Sequence, residues 1–87
     1  MKNTSGLMGI SSAQLRAARA LLRWSALDLA KASKVGVATI RRVETIEGEI
    51  PVTAANEAAL RAALEAAGVE FFDESGVRLR KLPRQKR

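Results

Sequence analysis

The sequence predicts a small, mainly α domain in which four helices precede a C-terminal β-hairpin. Capping patterns and apolar residues three or four positions apart recur between Ser11 and Ala67, as in amphipathic helices. After Gly68 the pattern changes to the alternation that is typical of strands, interrupted by turn-forming residues. With 87 residues and no cysteine, the chain is expected to hold one domain that no disulfide supports.

The first helix is predicted to begin at Ser11. Ser11 and Gln14 fit a capping box, in which each side chain satisfies a backbone N–H of the first turn. Ile10 and Leu15 flank the cap in the positions of a hydrophobic staple. The apolar stripe of this helix is Leu15, Ala18 and Leu22. Residues 1–10 contain two glycines and several small polar residues, so a flexible N-terminal arm is expected there.

The second helix is predicted to begin at Ser25, with Asp28 completing a capping box and Trp24 and Leu29 forming a staple pair. It is expected to run to about Lys34. Its inner stripe is made mostly of small residues, which permit close approach of a neighbouring helix: Ala26, Leu29, Ala30 and Ser33.

The third helix follows a short turn over residues 34–36. It is predicted from about Val37 to Ile46, with Ile40 and Val43 facing inward and Gly48 as a residue that ends it.

The fourth helix follows a loop fixed by Pro51. Either Thr53 or Asn56 has the side chain to cap it, and it is expected to reach Ala67 and to end at Gly68. High alanine content favours a helix here. Its buried stripe is predicted to be Leu60, Leu64 and Ala67.

A β-hairpin is predicted from residues 69–72 and 77–80, which alternate apolar and polar side chains around the turn-forming residues 73–76. A lone two-stranded hairpin is barely stable in water, so it needs the helices or a second chain beneath it.

The charges are segregated along the chain, whose net charge is +6. Residues 1–43 carry eight Lys or Arg and one acid, residues 44–77 carry one Arg and eight acids, and residues 78–87 carry six bases and no acid. A surface built only for solubility would mix its signs. The pattern therefore suggests one face directed at a polyanion such as nucleic acid and another face with a different task.

The composition argues against several classes of function. Because the chain has no cysteine, histidine or tyrosine, zinc sites of the usual kind and the common nucleophile–base pairs are excluded. We expect no enzyme activity, no metal, no cofactor and no small-molecule ligand. The sequence contains no apolar run of about 18 residues, so no transmembrane helix is predicted. Residues 1–10 lack the pattern of a signal peptide. We therefore expect a cytoplasmic, nucleoid-associated protein that does not bind a membrane.

The segment 22–44 has the features of two short helices joined by a tight turn. Ala30 supplies a small residue where the helices would cross, Val35 fills the turn, and Gly36 is tolerable where the next helix starts. Apolar anchors are present in both helices: Leu29, Ile40 and Val43.

This segment resembles the lambda-repressor/Cro-like helix-turn-helix family, also called the XRE (xenobiotic-response-element) family. The matching residues are Leu22, Trp24, Ser25, Leu29, Ala30, Val35, Thr39, Ile40 and Glu44. The similarity covers about residues 11–67, and the stretches 63–71 and 76–80 also resemble small regulators of the family. The resemblance implies a lambda-repressor-like DNA-binding domain over residues 11–68, followed by a hairpin over 69–81 and a basic tail over 82–87.

Several positions depart from the family pattern. Lys34 replaces the turn glycine, and a left-handed backbone there would cost about 1 kcal/mol. Gly36 replaces the usual capping serine. Ala26 replaces a glutamine that touches phosphate, so only the backbone N–H remains to donate. Glu47 and Glu49 stand in a loop that is basic in some relatives.

The resemblance implies roles for individual residues of the third helix. The positions that would read bases are Val37, Ala38, Arg41 and Arg42. An arginine fork fits O6 and N7 of guanine, and a small apolar side chain fits a thymine methyl group. In the alternative, both arginines clamp phosphates and carry no sequence information.

Other positions are expected to contact phosphate or to hold the fold together. The phosphate contacts implied by the resemblance are Arg23, Ala26, Lys34 and Thr39. Lys31 is either a further phosphate contact or a solvated side chain. Arg19 is expected to form a structural ion pair with Glu44, as its position does in the family.

The hairpin suggests a homodimer. Phe71 and Phe72 are adjacent, so in a strand they face opposite sides, and only one can enter the core of the same chain. The predicted dimer contacts are Phe71, Phe72, Val77 and Leu79. Coverage by the fourth helix or by the tail is the alternative. A two-fold dimer would imply a palindromic double-stranded operator. The basic stretch 78–87 either follows DNA as a phosphate or minor-groove contact or is a solubilising end.

The leading hypothesis is a sequence-specific transcriptional regulator, a homodimeric repressor of phage or mobile-element type. The alternative is an antitoxin-like module that binds a protein partner as well as DNA. A nonspecific architectural DNA-binding protein is the third hypothesis.

Overall fold

The first two helices begin at the predicted caps. The computed structural model describes residues 9–47, 52–73 and 76–80. In it, helix α1 (Ser12–Leu22) follows Ser11, whose Oγ accepts a hydrogen bond from the Gln14 N–H at 3.0 Å, while Gln14 Oε1 accepts from the Ser11 N–H at 3.0 Å. Helix α2 (Ala26–Ser33) follows Ser25, which forms the same reciprocal pair with Asp28 at 3.0 and 2.9 Å. Both predicted capping boxes are confirmed.

Helix α3 (Val37–Val43) begins where it was predicted and ends three residues before the predicted Ile46. The chain tightens after Val43, because the Thr45 N–H bonds to the Arg42 carbonyl and the Ile46 N–H to the Val43 carbonyl, both at 3.2 Å. The Thr45 hydroxyl also donates to the Arg42 carbonyl at 2.7 Å. Bonds that span three residues thus replace the four-residue spacing of an α-helix. The predicted helix-ending Gly48 lies outside the described residues.

Helix α4 (Ala54–Ala66) is capped by Thr53, whose hydroxyl accepts a hydrogen bond from the Asn56 N–H at 3.0 Å. Of the two predicted caps, Thr53 and Asn56, the structure therefore has Thr53. The chain leaves the helix through Gly68, whose φ of 109° is a backbone conformation that favours glycine.

The hairpin consists of antiparallel strands β1 (Val69–Phe72) and β2 (Gly76–Leu79), with Val69 opposite Leu79 and Phe72 opposite Gly76. The second strand thus begins one residue earlier than predicted. A Cβ atom at position 76 would lie 2.7 Å from the Phe72 carbonyl oxygen, so only glycine fits this close pairing. The protein is therefore a small, mainly α domain of four helices followed by a two-stranded hairpin.

The core draws side chains from every helix, from β1, from the turn between α2 and α3 and from the segment before α1. The buried apolar residues are Ile10, Leu15, Ala18, Ala26, Leu29, Val35, Ile40, Val43, Leu60, Leu64 and Val69. Most of the predicted inner stripes are included, and Val35 fills the turn as predicted, at 4% exposure. Leu22, Trp24 and Ala30 are half-buried against this core.

A buried amide joins the hairpin to α1. The Gln14 side chain is 1% exposed, and its Nε2 donates to the backbone carbonyls of Gly76 at 3.0 Å and Asp73 at 3.3 Å. The hairpin thus rests on the helices of its own chain. Among residues 9–47, 52–73 and 76–80, no helix has the length and apolar character needed to cross a membrane.

Candidate nucleic-acid interface

The candidate interface is built on α2, α3 and the three residues that join them. Lys34 closes α2 in the left-handed region, with φ 67° and ψ 18°, as its position in place of a turn glycine implied. Val35 then enters the core, and its N–H is satisfied by the Ser33 hydroxyl at 3.1 Å. Because Val35 is buried and the turn is hydrogen-bonded, the angle between α2 and α3 is fixed by packing.

Helix α3 has an inner and an outer side. Ile40 and Val43 are fully buried, and Val37 is half-buried against the same core. Ala38, Arg41 and Arg42 are exposed, and their spacing of three and four residues places them on a common face. Of the four residues predicted to read bases, three therefore face solvent together, whereas Val37 contributes part of its side chain to the core.

The Arg41 and Arg42 guanidiniums form no ion pair with the described residues of the protein. Within the part of the chain that the structure describes, no carboxylate lies within 4.0 Å of either one. Both occupy the last turn of α3, where cations interact favourably with the helix dipole. Two adjacent, solvent-facing guanidiniums on a fixed helix are suited to a polyanionic partner.

The residues predicted to contact phosphate differ in their accessibility. Arg23 and Lys34 are exposed, and each occupies the left-handed position that ends a helix. Lys31 is also exposed, and Thr39 is half-buried. Ala26 is 9% exposed, so its backbone N–H at the start of α2 is the group that it could donate to a phosphate. The loop residue Glu49, residues 1–8 of the predicted arm, residue 81 and the predicted tail over residues 82–87 lie outside the described residues.

Arg19 and Glu44 form the expected ion pair. Arg19 Nε and Nη2 donate to the two carboxylate oxygens of Glu44 at 2.8 and 2.7 Å, and Nη1 donates to the Trp24 carbonyl at 2.8 Å. The Glu44 side chain is 9% exposed and that of Arg19 22%. The hydrogen bond to Glu44 and its charge raise the pKa of Arg19, and burial opposes this rise. The ion pair joins α1 to the end of α3.

Two further contacts to Glu44 were not predicted. The side chains of Ser12 and Arg16 both reach the backbone carbonyl of Glu44, at 3.1 and 2.7 Å. A signal was present in the sequence, since Ser12, Arg16 and Arg19 are spaced by four and three residues and share one side of a helix. Its target was not visible, because the end of α3 was predicted at Ile46.

The predicted dimer residues do not form one surface. Phe71 and Val77 are opposite each other in the hairpin and pack against the core of their own chain, both half-buried. Phe72 and Leu79 are each 45% exposed, but strand alternation places them on opposite faces of the hairpin. The Arg78 guanidinium lies 5.4 Å from the centre of the Phe72 ring and is paired with Glu70 at 2.8 Å.

Comparisons of the chain with protein-family models, with curated proteins and with solved structures gave no match.

Proposed function

We propose that this protein is a sequence-specific double-stranded-DNA-binding transcriptional regulator with a lambda-repressor/Cro-like helix-turn-helix, in which α3 enters the major groove. It acts as a homodimeric repressor of phage or mobile-element type on a palindromic operator, with half-sites about one helical turn of DNA apart. The resemblance of residues 11–67 to that family supports the proposal.

The observation that carries the proposal is the outer face of α3. Ala38, Arg41 and Arg42 are exposed there, while Ile40 and Val43 fix the opposite face in the core. The major groove of B-DNA admits an α-helix, and guanine presents two acceptors that match an arginine fork. One such bidentate contact discriminates against the wrong base by about 1–3 kcal/mol.

The surrounding charge supports the same orientation. Arg23 and Lys34, at the ends of α1 and α2, are exposed cations that fit the sugar–phosphate backbone. Residues 1–43 carry a net charge of +7, which steers the protein toward DNA and makes its affinity depend on salt.

The proposal is tested by selecting duplexes from a random library with the purified protein and then measuring affinities by fluorescence anisotropy. We expect a preference of about a thousandfold or more for selected over scrambled duplexes at fixed salt. Arg41→Ala and Arg42→Ala abolish that preference while circular dichroism shows an intact fold, because both side chains are exposed. Normal binding of the selected duplex by both variants would show that α3 does not read DNA.

Lysine variants separate base reading from phosphate clamping. Arg41→Lys and Arg42→Lys keep the charge and lose the fork. If the guanidinium fork reads guanine, the lysine variants reduce the preference for the selected duplex and leave the salt dependence of binding unchanged. If both arginines clamp phosphates, the lysine variants keep the preference.

The matched control for the alanine variants is Arg61→Ala. Arg61 lies on α4, where it pairs with Glu65 at 3.0 Å, so its replacement removes the same charge outside the α2–α3 unit. We expect Arg61→Ala to keep the preference for the selected duplex while circular dichroism shows an intact fold. Equal binding of every duplex by the wild-type protein would favour an architectural protein, and copurification with the product of a neighbouring gene would favour the antitoxin-like alternative.

A further inference from the structure

The residue after α3 is held by three side chains of α1. Arg19 takes both carboxylate oxygens of Glu44. Arg16 Nη1 donates to the Glu44 carbonyl at 2.7 Å and to Ser12 Oγ at 2.6 Å, and Ser12 Oγ donates to the same carbonyl at 3.1 Å. Glu44 is therefore fixed both at its side chain and at its backbone.

The three hydrogen bonds to and around the carbonyl close a triangle. Ser12 Oγ accepts from Arg16 and donates to Glu44, so its hydroxyl has partners as donor and as acceptor, and Ser12 has no exposed surface. Because one nitrogen of Arg16 makes both contacts, removing this side chain breaks two sides of the triangle at once. Arg16 itself lies at the surface, so it can be replaced without opening a cavity in the core.

Helix α3 depends on such outside support. It has seven residues, and Gly36 at its N-terminus offers no side-chain cap. A helix of this length is unstable by itself, so its position comes from tertiary contacts. Ile40 and Val43 hold one face in the core, and Val37 is half-buried against the same core. The hydrogen bonds to the Glu44 side chain and carbonyl add restraints at the C-terminal end of α3.

We propose that Arg16, acting through Ser12 and the Glu44 carbonyl, is a positioning residue that sets the orientation of α3 and hence the DNA sequence preference of the protein. This inference rests on the function proposed above. Arg41 and Arg42 precede Glu44 by three and two residues, so a rotation of the helix end moves both guanidiniums. Recognition geometry has to be kept within about 0.5 Å and 10–20°, and the hydrogen bonds to Glu44 add polar restraints to the apolar packing of α3.

The first test uses the free protein. Hydrogen exchange of the Glu44 amide, which bonds to the Ile40 carbonyl at 3.1 Å, reports on the end of α3. In Arg16→Ala we expect this amide to exchange about tenfold faster, the effect of one charge-assisted hydrogen bond. The Leu64 amide in the core of α4 should keep its rate, which separates a local change from global destabilisation. Unchanged exchange at Glu44 would overturn the proposal.

The second test measures, at several salt concentrations, the affinity for the selected duplex and for scrambled duplexes. Arg16→Ala should reduce the preference about tenfold and leave nonspecific affinity and salt dependence as in the wild type. Arg16→Lys should restore part of it, because an ammonium can donate to the Glu44 carbonyl. A direct phosphate contact would instead weaken binding to all duplexes and lower the salt slope by about one, and that result would also overturn the proposal.

The two tests distinguish the inference from the proposed function. If the wild-type protein has no sequence preference, the proposed function fails, whereas exchange at Glu44 still reports whether Arg16 fixes α3. If the wild type has the preference and Arg16→Ala retains it in full, the positioning role alone is wrong.

Discussion

At the scale of single residues, the least expected backbone conformations belong to charged side chains. Among the described residues, those other than glycine with positive φ are Arg23, Lys34 and Asp73. Left-handed backbone costs a side chain about 1–2 kcal/mol relative to the right-handed region. Arg23 and Lys34 end α1 and α2, so the proposed phosphate contacts stand at positions where glycine would be more stable.

Replacement of Lys34 by glycine is expected to stabilise the protein. The φ of 67° at this position suits glycine, and the gain is reduced by the greater entropy that glycine gives to the unfolded chain. We expect the free energy of unfolding to rise by about 0.5–1 kcal/mol in urea titrations.

The control is Lys34→Ala, which removes the same charge and keeps the Cβ. It should not stabilise. Equal stability of the glycine and alanine variants would show that the backbone at position 34 carries no strain. Both variants should bind DNA more weakly, if Lys34 contacts phosphate.

At the scale of secondary-structure elements, local chemistry was predictable and contacts between distant segments were not. The caps of α1 and α2 follow from residues three positions apart, so the sequence alone locates them. The end of α3 depends on Thr45 and on the contacts of Glu44 with α1, which join residues 25 to 32 positions apart. The start of β2 depends on how closely Gly76 approaches Phe72. Neither of these boundaries is visible in the local pattern.

The capping box of α2 predicts a pH dependence of stability. The hydrogen bonds from the Ser25 backbone N–H and hydroxyl lower the pKa of Asp28, with a smaller contribution from the charge of Lys31. A carboxylate whose pKa is lower in the folded state stabilises the protein above its unfolded pKa of about 3.9 and loses that contribution as the pH falls through the folded pKa.

We therefore expect the stability difference between the wild type and Asp28→Asn to be constant near neutral pH and to shrink below about pH 4. Urea titrations at a series of pH values measure it. Asp73→Asn is the control for the loss of one exposed aspartate. A difference that does not change with pH would exclude the charge of Asp28 as the stabilising factor.

At the scale of the whole molecule, exposed cations and exposed apolar side chains occur on both the helices and the hairpin. Among the described residues, the exposed large apolar side chains are Leu21 of α1, Leu27 of α2 and, on the hairpin, Phe72 and Leu79. The sequence predicted the four helices, the hairpin and the opposite directions of Phe71 and Phe72. It did not predict that Val77 packs inward with Phe71, because that requires the register of the two strands. The residues proposed to read DNA and those proposed to join two chains belong to separate elements.

We predict that the hairpin joins two copies of the chain. Because Phe72 and Leu79 lie on opposite faces of the hairpin, Phe72→Lys and Leu79→Lys test the two faces separately. The variant that places a charge in the dimer contact should convert a dimer to a monomer in analytical ultracentrifugation. Both side chains are 45% exposed, so the monomer is expected to stay folded.

Leu27→Lys is the matched control, because Leu27 is an exposed leucine of α2, at 48%, outside the hairpin. It should leave the dimer intact. A monomeric wild-type protein, or a dimer that only Leu27→Lys dissociates, would contradict the assignment of the hairpin.

Helix α3 is anchored by residues other than those of its exposed face, and this has an evolutionary consequence. Its position is set by Ile40, Val43 and the contacts of Glu44, none of which involves the outward side chains at positions 38, 41 and 42. Substitutions at exposed positions away from such contacts usually change stability by less than about 0.5 kcal/mol. A library randomised at these three sites should consist mainly of folded proteins. If α3 reads DNA as proposed, new target sequences are accessible to this scaffold by mutation of its outer face alone.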